Sequence, residues 1–315
     1  MTTKRVRIIV NPGTRSGRAG RAIQRARTLA AQKPHLRCEW VESRSARHLR
    51  ELVRAAQDEE LDALALAGGD GTLAIAFDAL DRLNRVPLGV LPVGSGNDFA
   101  RDLGIPRDAE CWFDAFLHGA LRRVDVGRVL PEGLRFCCVA SVGLDELALR
   151  MIHGSWLPRS KALNVLSALR ALWAYQPRAV RILWEDGMFE GEVMFAAVTN
   201  TRGYGGGFLV SPAARLDDGL LDLCIVRRSG RGRLLWNFPR ILTGTHGTLA
   251  EVVQATSPWF RIEGIHGELP VTLDGELPQR LTPVELRSEP GAVTMLTSTP
   301  IHKPRTIRRL ETCRA

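Results

Sequence analysis

Residues 61–83 read LDALALAGGDGTLAIAFDALDRL. The apolar run from Leu61 to Ala67 lacks strict alternation, the texture of a strand buried on both faces. The run from Leu73 to Leu83 predicts a helix. Between them stand Gly68, Gly69, Asp70, Gly71 and Thr72. Glycine permits positive φ and has no Cβ to hold a ligand away, and the following helix offers unpaired N–H groups and a partial positive charge. Phosphate is the natural guest of such a turn, although one such loop taken alone is better read as an ordinary tight turn.

The same arrangement occurs on both sides of it. Val6 to Val10 leads into Asn11, Pro12, Gly13, Thr14, Arg15, Ser16 and Gly17, and Leu88 to Leu91 leads into Pro92, Val93, Gly94, Ser95, Gly96, Asn97 and Asp98, before a short helix that carries Arg101. Leu49, Leu52, Val53 and Ala56 make one helical stripe between strands. Short apolar runs alternating with amphipathic segments predict a parallel sheet covered by helices, and ligands of such sheets bind beyond the carboxyl ends of the strands. Three glycine loops at one edge therefore point to a polyphosphate. Asp70 and Asp98 beside it would repel it by about 4 kcal/mol per pair of unit charges ~4 Å apart at an effective dielectric of ~20. A divalent cation resolves the conflict, which makes Asp70 a candidate to orient Mg²⁺ directly or through water.

From about Val124 the texture changes to short β-like runs broken by turns at Pro131 to Gly133, Glu185 to Gly187, Asp217 to Gly219 and Asp274 to Glu276. This predicts a largely antiparallel second domain. Two helices are expected within it, one over Lys161 to Tyr175 with Leu163, Leu166, Leu169, Leu172 and Trp173 in register, and one from about Arg231. Cys137 and Cys138 are expected on opposite faces of one strand. The basic, proline-containing tail from His302 to Ala315 is expected to end in disorder.

The 315 residues are 45% hydrophobic with a net charge of +9, nearly all of it arginine, since lysine occurs only at positions 4, 33, 161 and 303. That composition buries a large core and suits phosphate-rich partners. Six cysteines without zinc spacing or disulfide density predict a reducing cytosol. The first residues lack the apolar stretch of a signal peptide, and no run approaches the ~18 apolar residues of a spanning helix, so a protein neither secreted nor integral is expected. No lysine sits in a glycine loop as Walker A requires, no G-x-G-x-x-G follows the first strand, and H-E-x-x-H and G-x-S-x-G are absent. These absences argue against P-loop, dinucleotide-dependent, zinc and serine-hydrolase chemistry.

With these residues in hand, the chain resembles the diacylglycerol kinase catalytic-domain superfamily from about Arg7 to Leu296. The resemblance rests on Asn11-Pro12, Gly68 to Thr72, Pro87 to Arg101, Gly205-Gly206-Gly207, Leu216 to Asp222 and Asp274-Gly275-Glu276. It implies an α/β plus β-rich fold: an N-terminal parallel α/β nucleotide-binding domain of NAD kinase-like type over 1–125, a largely antiparallel β-sandwich domain over 126–295, and a segment 296–315 returning to the first domain. It implies ATP bound by Asn11, Pro12, Gly13, Ser16, Gly17, Ser43, Gly68, Gly69, Asp70, Gly71, Thr72, Gly94, Ser95, Gly96 and Asn97. It implies a structural Mg²⁺ held by Asp218 with the carbonyls of Arg215 and Leu220, where a plain reading sees a tight turn. Asp274 or Glu276 would accept the proton of a lipid hydroxyl, most simply that of diacylglycerol, as it attacks the γ-phosphate. Read alone, that stretch is a β-hairpin turn. The chain departs from the family in a longer first loop, in Val139 to Asp145, and in Asn164 where many relatives have tyrosine.

A kinase of lipids meets its substrate at a membrane surface, so a cytoplasmic, peripherally associated protein is expected. Trp156, Trp173, Trp236, Phe238, Trp259 and Phe260 suggest an apolar cleft with a basic rim, against the plainer reading of core aromatics. The competing functions are an NAD kinase-like soluble kinase, a non-catalytic lipid-binding relative, and a nucleic-acid binder, for which no motif speaks. A homodimer stays open.

Overall fold

A computed structural model describes residues 3–11, 13, 17–80, 84–157 and 160–297. The first half runs β1 (Lys4–Val10), α1 (Gly17–Ala31), β2 (Leu36–Glu42), α2 (Ala46–Gln57), β3 (Ala63–Gly68), α3 (Asp70–Ala79), β4 (Leu88–Pro92), α4 (Asp98–Asp102) and α5 (Ala109–His118). The second runs β5 (Ala120–Leu130), β6 (Leu134–Phe136), β7 (Val139–Gly143), α6 (Leu144–His153), α7 (Lys161–Ala174), β8 (Arg178–Trp184), β9 (Gly187–Thr199), β10 (Leu221–Arg227), α8 (Arg231–Asn237) and α9 (Pro239–Thr243). The chain then continues through β11 (Val252–Ser257), β12 (Trp259–Gly264), β13 (Pro270–Leu273), β14 (Glu276–Leu281) and β15 (Val284–Thr297).

Strands β2, β1, β3 and β4 lie side by side, all parallel. Every residue of β3 and β4 is buried, as helices on both faces require. In α2, Ser45 caps the N-terminus by accepting the His48 N–H, and Leu49, Val53 and Ala56 form the buried stripe. The second half is antiparallel, as expected from its turns, with β7, β8 and β10 flanking or pairing β9 and β13 pairing β7 and β14. No helix among the described residues is long and apolar enough to cross a membrane.

The return to the first domain runs through β15. β15 pairs antiparallel with β5 and β12 in the second layer and meets β4 in parallel at Met295 opposite Leu88, so one ladder joins both halves. The tail from His302 lies outside the described residues. A second tie is Arg135, which donates to the carbonyls of Phe77 (3.2 Å) and Leu80 (2.8 Å) at the end of α3 and to Glu289 (2.7 Å) on β15. A cation at a helix C-terminus is stabilising because the last carbonyls carry partial negative charge.

Three local expectations change. The helix after the second glycine loop begins at Asp70 rather than Leu73, because Thr72 and Leu73 already donate to the Gly69 carbonyl, and it ends at Ala79. The strand before it begins at Ala63 rather than Leu61. Cys137 and Cys138 do not share a strand. They form the bend between β6 and β7, with their sulfurs 3.6 Å apart.

Candidate active site

The three glycine loops emerge from β1, β3 and β4 at the same edge and are bound to one another. Asn11 donates from its amide nitrogen to the Thr72 hydroxyl (2.8 Å) and accepts the Gly13 N–H (2.9 Å) on its side-chain oxygen. Gly69 and Gly94 touch backbone to backbone: a Cβ on Gly94 would stand 2.5 Å from the Gly69 Cα. Real side chains never tolerate that distance, so the approach of the second and third loops requires glycine here. Asn97 adopts a left-handed φ of 56° and accepts the Gly94 N–H while donating to the carbonyls of Gly94 and Pro92.

Asp70 fastens the same two loops. Its carboxylate accepts the N–H groups of Asp98 (3.0 Å) and Phe99 (3.1 Å), the first amides of α4. Burial raises its pKa, and the neighbouring Asp98 charge raises it further. Asp98 is itself buried. It binds the Arg101 guanidinium and accepts the Gly206 N–H at 2.7 Å, drawing the Gly205 to Gly207 loop of the second half against the third glycine loop.

The β13–β14 hairpin faces these loops. Asp274 has a left-handed φ of 48° and Gly275 of 77°, the pair of positive values that a tight two-residue hairpin needs. The Asp274 carboxylate accepts three consecutive backbone amides, those of Cys137 (2.7 Å), Cys138 (2.7 Å) and Val139 (3.0 Å). Burial nevertheless outweighs those bonds and pushes its pKa up to about 6. Glu276 is exposed, and its Oε1 lies 3.4 Å from where a Cβ on Gly71 would stand, so it overhangs the N-terminus of α3.

A cavity of 640 Å³ joins these parts. Its polar end is bordered by Asn11, Gly13, Gly69 to Thr72 and Gly94 to Gly96, with Asp98, Asp274 and Glu276. Gly68, which carries no contact with that cavity, leaves room for Thr72: a Cβ there would fall 2.3 Å from the threonine hydroxyl. Asn97 supports from behind. Gly17 opens α1 and does not border the cavity, and Pro12 and Ser16 lie outside the described residues. Ser43 is buried one strand away, where its N–H and hydroxyl both donate to the Val10 carbonyl.

The other end of the cavity is apolar. Leu149, Ile152, Ala168, Leu172, Phe208, Leu234, Phe238 and Ile241 line it. It is walled by α6, α7, α8 and α9. Of the aromatic residues expected at a cleft, Phe238 is there, Phe260 is buried in the β core, Trp259 is half-buried, and Trp156, Trp173 and Trp236 face outward. Sequence reading missed Asp145, which lies where the two ends meet and accepts from Ser141 (2.8 Å) and from the Tyr204 hydroxyl. Burial raises its pKa. The signal available was an acid two residues after Gly143, at the end of an apolar run.

Asp218 lies apart from this cavity. Its carboxylate accepts the Leu220 N–H (3.2 Å), and Gly219 donates to the buried Asp125 (2.7 Å), which also accepts the Gly291 N–H (2.7 Å). Asp217 next to it is held by Arg122 and Arg215. Burial first, and then the charges of Asp218 and Asp217, raise the Asp125 pKa. An all-oxygen, acid-rich loop of this kind suits a hard cation.

Comparison with known proteins gives the family, and its named relatives are lipid kinases. Residues 5–129 match the diacylglycerol kinase catalytic domain, and residues 138–297 match the YegS C-terminal NAD kinase beta sandwich-like domain. The chain is 32% identical over 288 residues to a diacylglycerol kinase of Mycobacterium tuberculosis (strain H37Rv), covering 88% of this chain and 91% of that one. It is 30% identical over 289 residues to a protein named "Probable lipid kinase YegS-like" of Pseudomonas aeruginosa (strain PAO1), covering 89% of each. The crystal structure of a diacylglycerol kinase from Bacillus anthracis strain Sterne superposes with a TM-score of 0.71 at 20% identity, over 94% of this chain and 98% of that one. The chain belongs to the diacylglycerol kinase catalytic-domain family.

Two expectations test this geometry. Gly94→Ala forces the second and third loops apart and should weaken nucleotide binding at least ~10-fold, about 1.4 kcal/mol, measured by isothermal calorimetry; unchanged affinity would refute the close-approach argument. Asp274 holds its proton more tightly folded (about 6) than unfolded (3.8). Its contribution to stability is therefore full below 3.8 and lost as pH rises through about 6. Urea unfolding should show a fall of roughly 1–3 kcal/mol across that window, flattened in Asp274→Asn.

Proposed function

We propose that the protein transfers the γ-phosphoryl group of ATP to a lipid hydroxyl, with diacylglycerol as acceptor and phosphatidic acid as product. The observation that carries this reading is the single cavity with glycine loops at one end, an apolar pocket at the other and an acidic hairpin between. Backbone amides at Gly13, Gly69 to Thr72 and Gly94 to Gly96 suit a triphosphate, and the N-terminus of α3 adds its partial charge. The apolar end suits acyl chain rather than the ribose of a soluble dinucleotide. Relatives named diacylglycerol kinase support the choice of acceptor.

Glu276 is the general base in this account. Asp274 has both oxygens committed to three amides, so it positions the hairpin, whereas the Glu276 carboxylate is exposed toward the polar end. The acceptor oxygen forms a bond to the γ-phosphorus as the bond from that phosphorus to the β,γ-bridging oxygen breaks, and the hydroxyl proton passes to Glu276. Asp70 would hold a nucleotide-bound Mg²⁺ through water while bracing α4, and Asp218 with the Arg215 and Leu220 carbonyls would hold a second, structural Mg²⁺. The first ion would neutralise the charge that develops on the phosphates. The enzyme would act peripherally at a membrane surface.

Incubation of the protein with labelled ATP, Mg²⁺ and a panel of diacylglycerol, sphingoid base, ceramide and phosphatidylglycerol should label diacylglycerol. Glu276→Gln should lower kcat by about 10²–10⁴-fold with little change in ATP affinity. A Glu276→Gln enzyme at full turnover would rule out the base, and a panel with no labelled lipid would rule out the kinase reading.

A further inference from the structure

The helices that wall the apolar end of the cavity have a second side. In α7, Asn164, Ala168 and Leu172 border the cavity. At about 100° per residue, Leu166, Arg170 and Trp173 fall on the opposite face. Leu166 is 43% exposed and Trp173 58%. In α6, Leu149, Ile152 and His153 border the cavity, and in the segment that follows the end of this helix Trp156 is 91% exposed beside Leu157 at 43%. In α8, Asn237 borders the cavity while its neighbour Trp236 is 85% exposed. Arg231 stacks on the Trp173 ring at 5.8 Å, tying α8 to α7.

Nine large apolar side chains are exposed among the described residues, and five of them lie on this wall, including all three exposed tryptophans. Such clustering marks an interaction surface rather than scattered surface residues. Its charge says which kind. Elements α6 to α9 carry Arg150, Lys161, Arg170, Arg231, Arg233 and Arg240 against Asp145 and Glu146. Asp145 faces the cavity, Glu146 offsets Arg150 and Glu251 offsets Arg233, and the charges of Lys161, Arg170, Arg231 and Arg240 make the outer face basic. Tryptophan places an apolar ring and one N–H at headgroup depth, and arginine is drawn to anionic headgroups.

We propose that the outer side of α6 to α8 docks on an anionic bilayer, with Trp156, Trp173 and Trp236 inserted at headgroup depth and Arg170 and Arg231 on lipid phosphates. The proposal deepens the lipid-kinase reading and rests on it for its purpose, because the helices that line the apolar end of the cavity then lie against the bilayer that holds the lipid.

The test uses the full chain in vesicle flotation with phosphatidylcholine alone and with added phosphatidylglycerol. The wild-type protein should float only with the anionic vesicles, and the triple variant Trp156→Ser, Trp173→Ser, Trp236→Ser should bind them about tenfold or more weakly. Met188→Ser, which removes an apolar side chain 62% exposed at the start of β9, should float as the wild type does. The triple variant should keep its turnover on a short-chain, water-soluble diacylglycerol and lose it on vesicle-embedded diacylglycerol. Equal flotation of triple variant and wild type, or a wild-type protein that ignores anionic vesicles, overturns the proposal. So does sedimentation showing that the tryptophans hold a dimer while vesicle binding persists. A wild-type protein that floats yet never phosphorylates the short-chain lipid overturns the acceptor assignment and leaves the docking face standing.

Discussion

A single buried carboxylate sets the geometry on which the rest of the molecule depends. Asp274 gathers the amides of Cys137, Cys138 and Val139 onto its two oxygens, and its own N–H donates to the Val139 carbonyl. The hairpin tip is thereby locked to the bend between β6 and β7. That bend reaches the second glycine loop, since the Cys137 thiol donates to the Asp70 carbonyl at 3.7 Å. Burying a carboxylate is costly unless its lone pairs are filled, and here the polar groups that fill them are the ones that aim Glu276 at the N-terminus of α3.

The opposite lip is built by a different device, the removal of side chains. Gly69 and Gly94 let two loops meet at backbone distance, and Asp70 closes the meeting by capping α4. Asp98 then extends the network into the second half through Gly206. Both lips are therefore held by backbone amides on buried carboxylates, which fixes their separation without long flexible side chains. The ladder through β15 and the Arg135 contacts to the end of α3 set the two halves at that separation. Preorganised amides and a fixed carboxylate suit phosphoryl transfer, where positioning and charge stabilisation carry most of the catalysis.

Much of this was legible in the residues because the signals are local. Glycines at strand ends, the acids between them, the Asp274 to Glu276 turn and the stripes of α2 and α7 all announce themselves within a few positions. What escaped depends on distant partners. Adjacent cysteines in an apolar stretch read as strand, yet Asp274, far along the chain, bends them out of it. β15 runs through Pro290 and Gly291 as one strand because Asp125, far away in sequence, accepts the Gly291 N–H and the register shifts there. Asp145 reads as a departure from a motif until Tyr204 and Ser141 close around it. The outward tryptophans read as core or cleft because sequence periodicity gives a helix face but not what stands opposite it.

The most direct measurement is a crystal structure with a non-hydrolysable ATP analogue and Mg²⁺. The account predicts the triphosphate on the amides of Gly13, Gly69 to Thr72 and Gly94 to Gly96, with the Glu276 carboxylate facing the γ-phosphate from across the cavity. Phosphates bound elsewhere, or a γ-phosphate with the hairpin turned away from it, would contradict it.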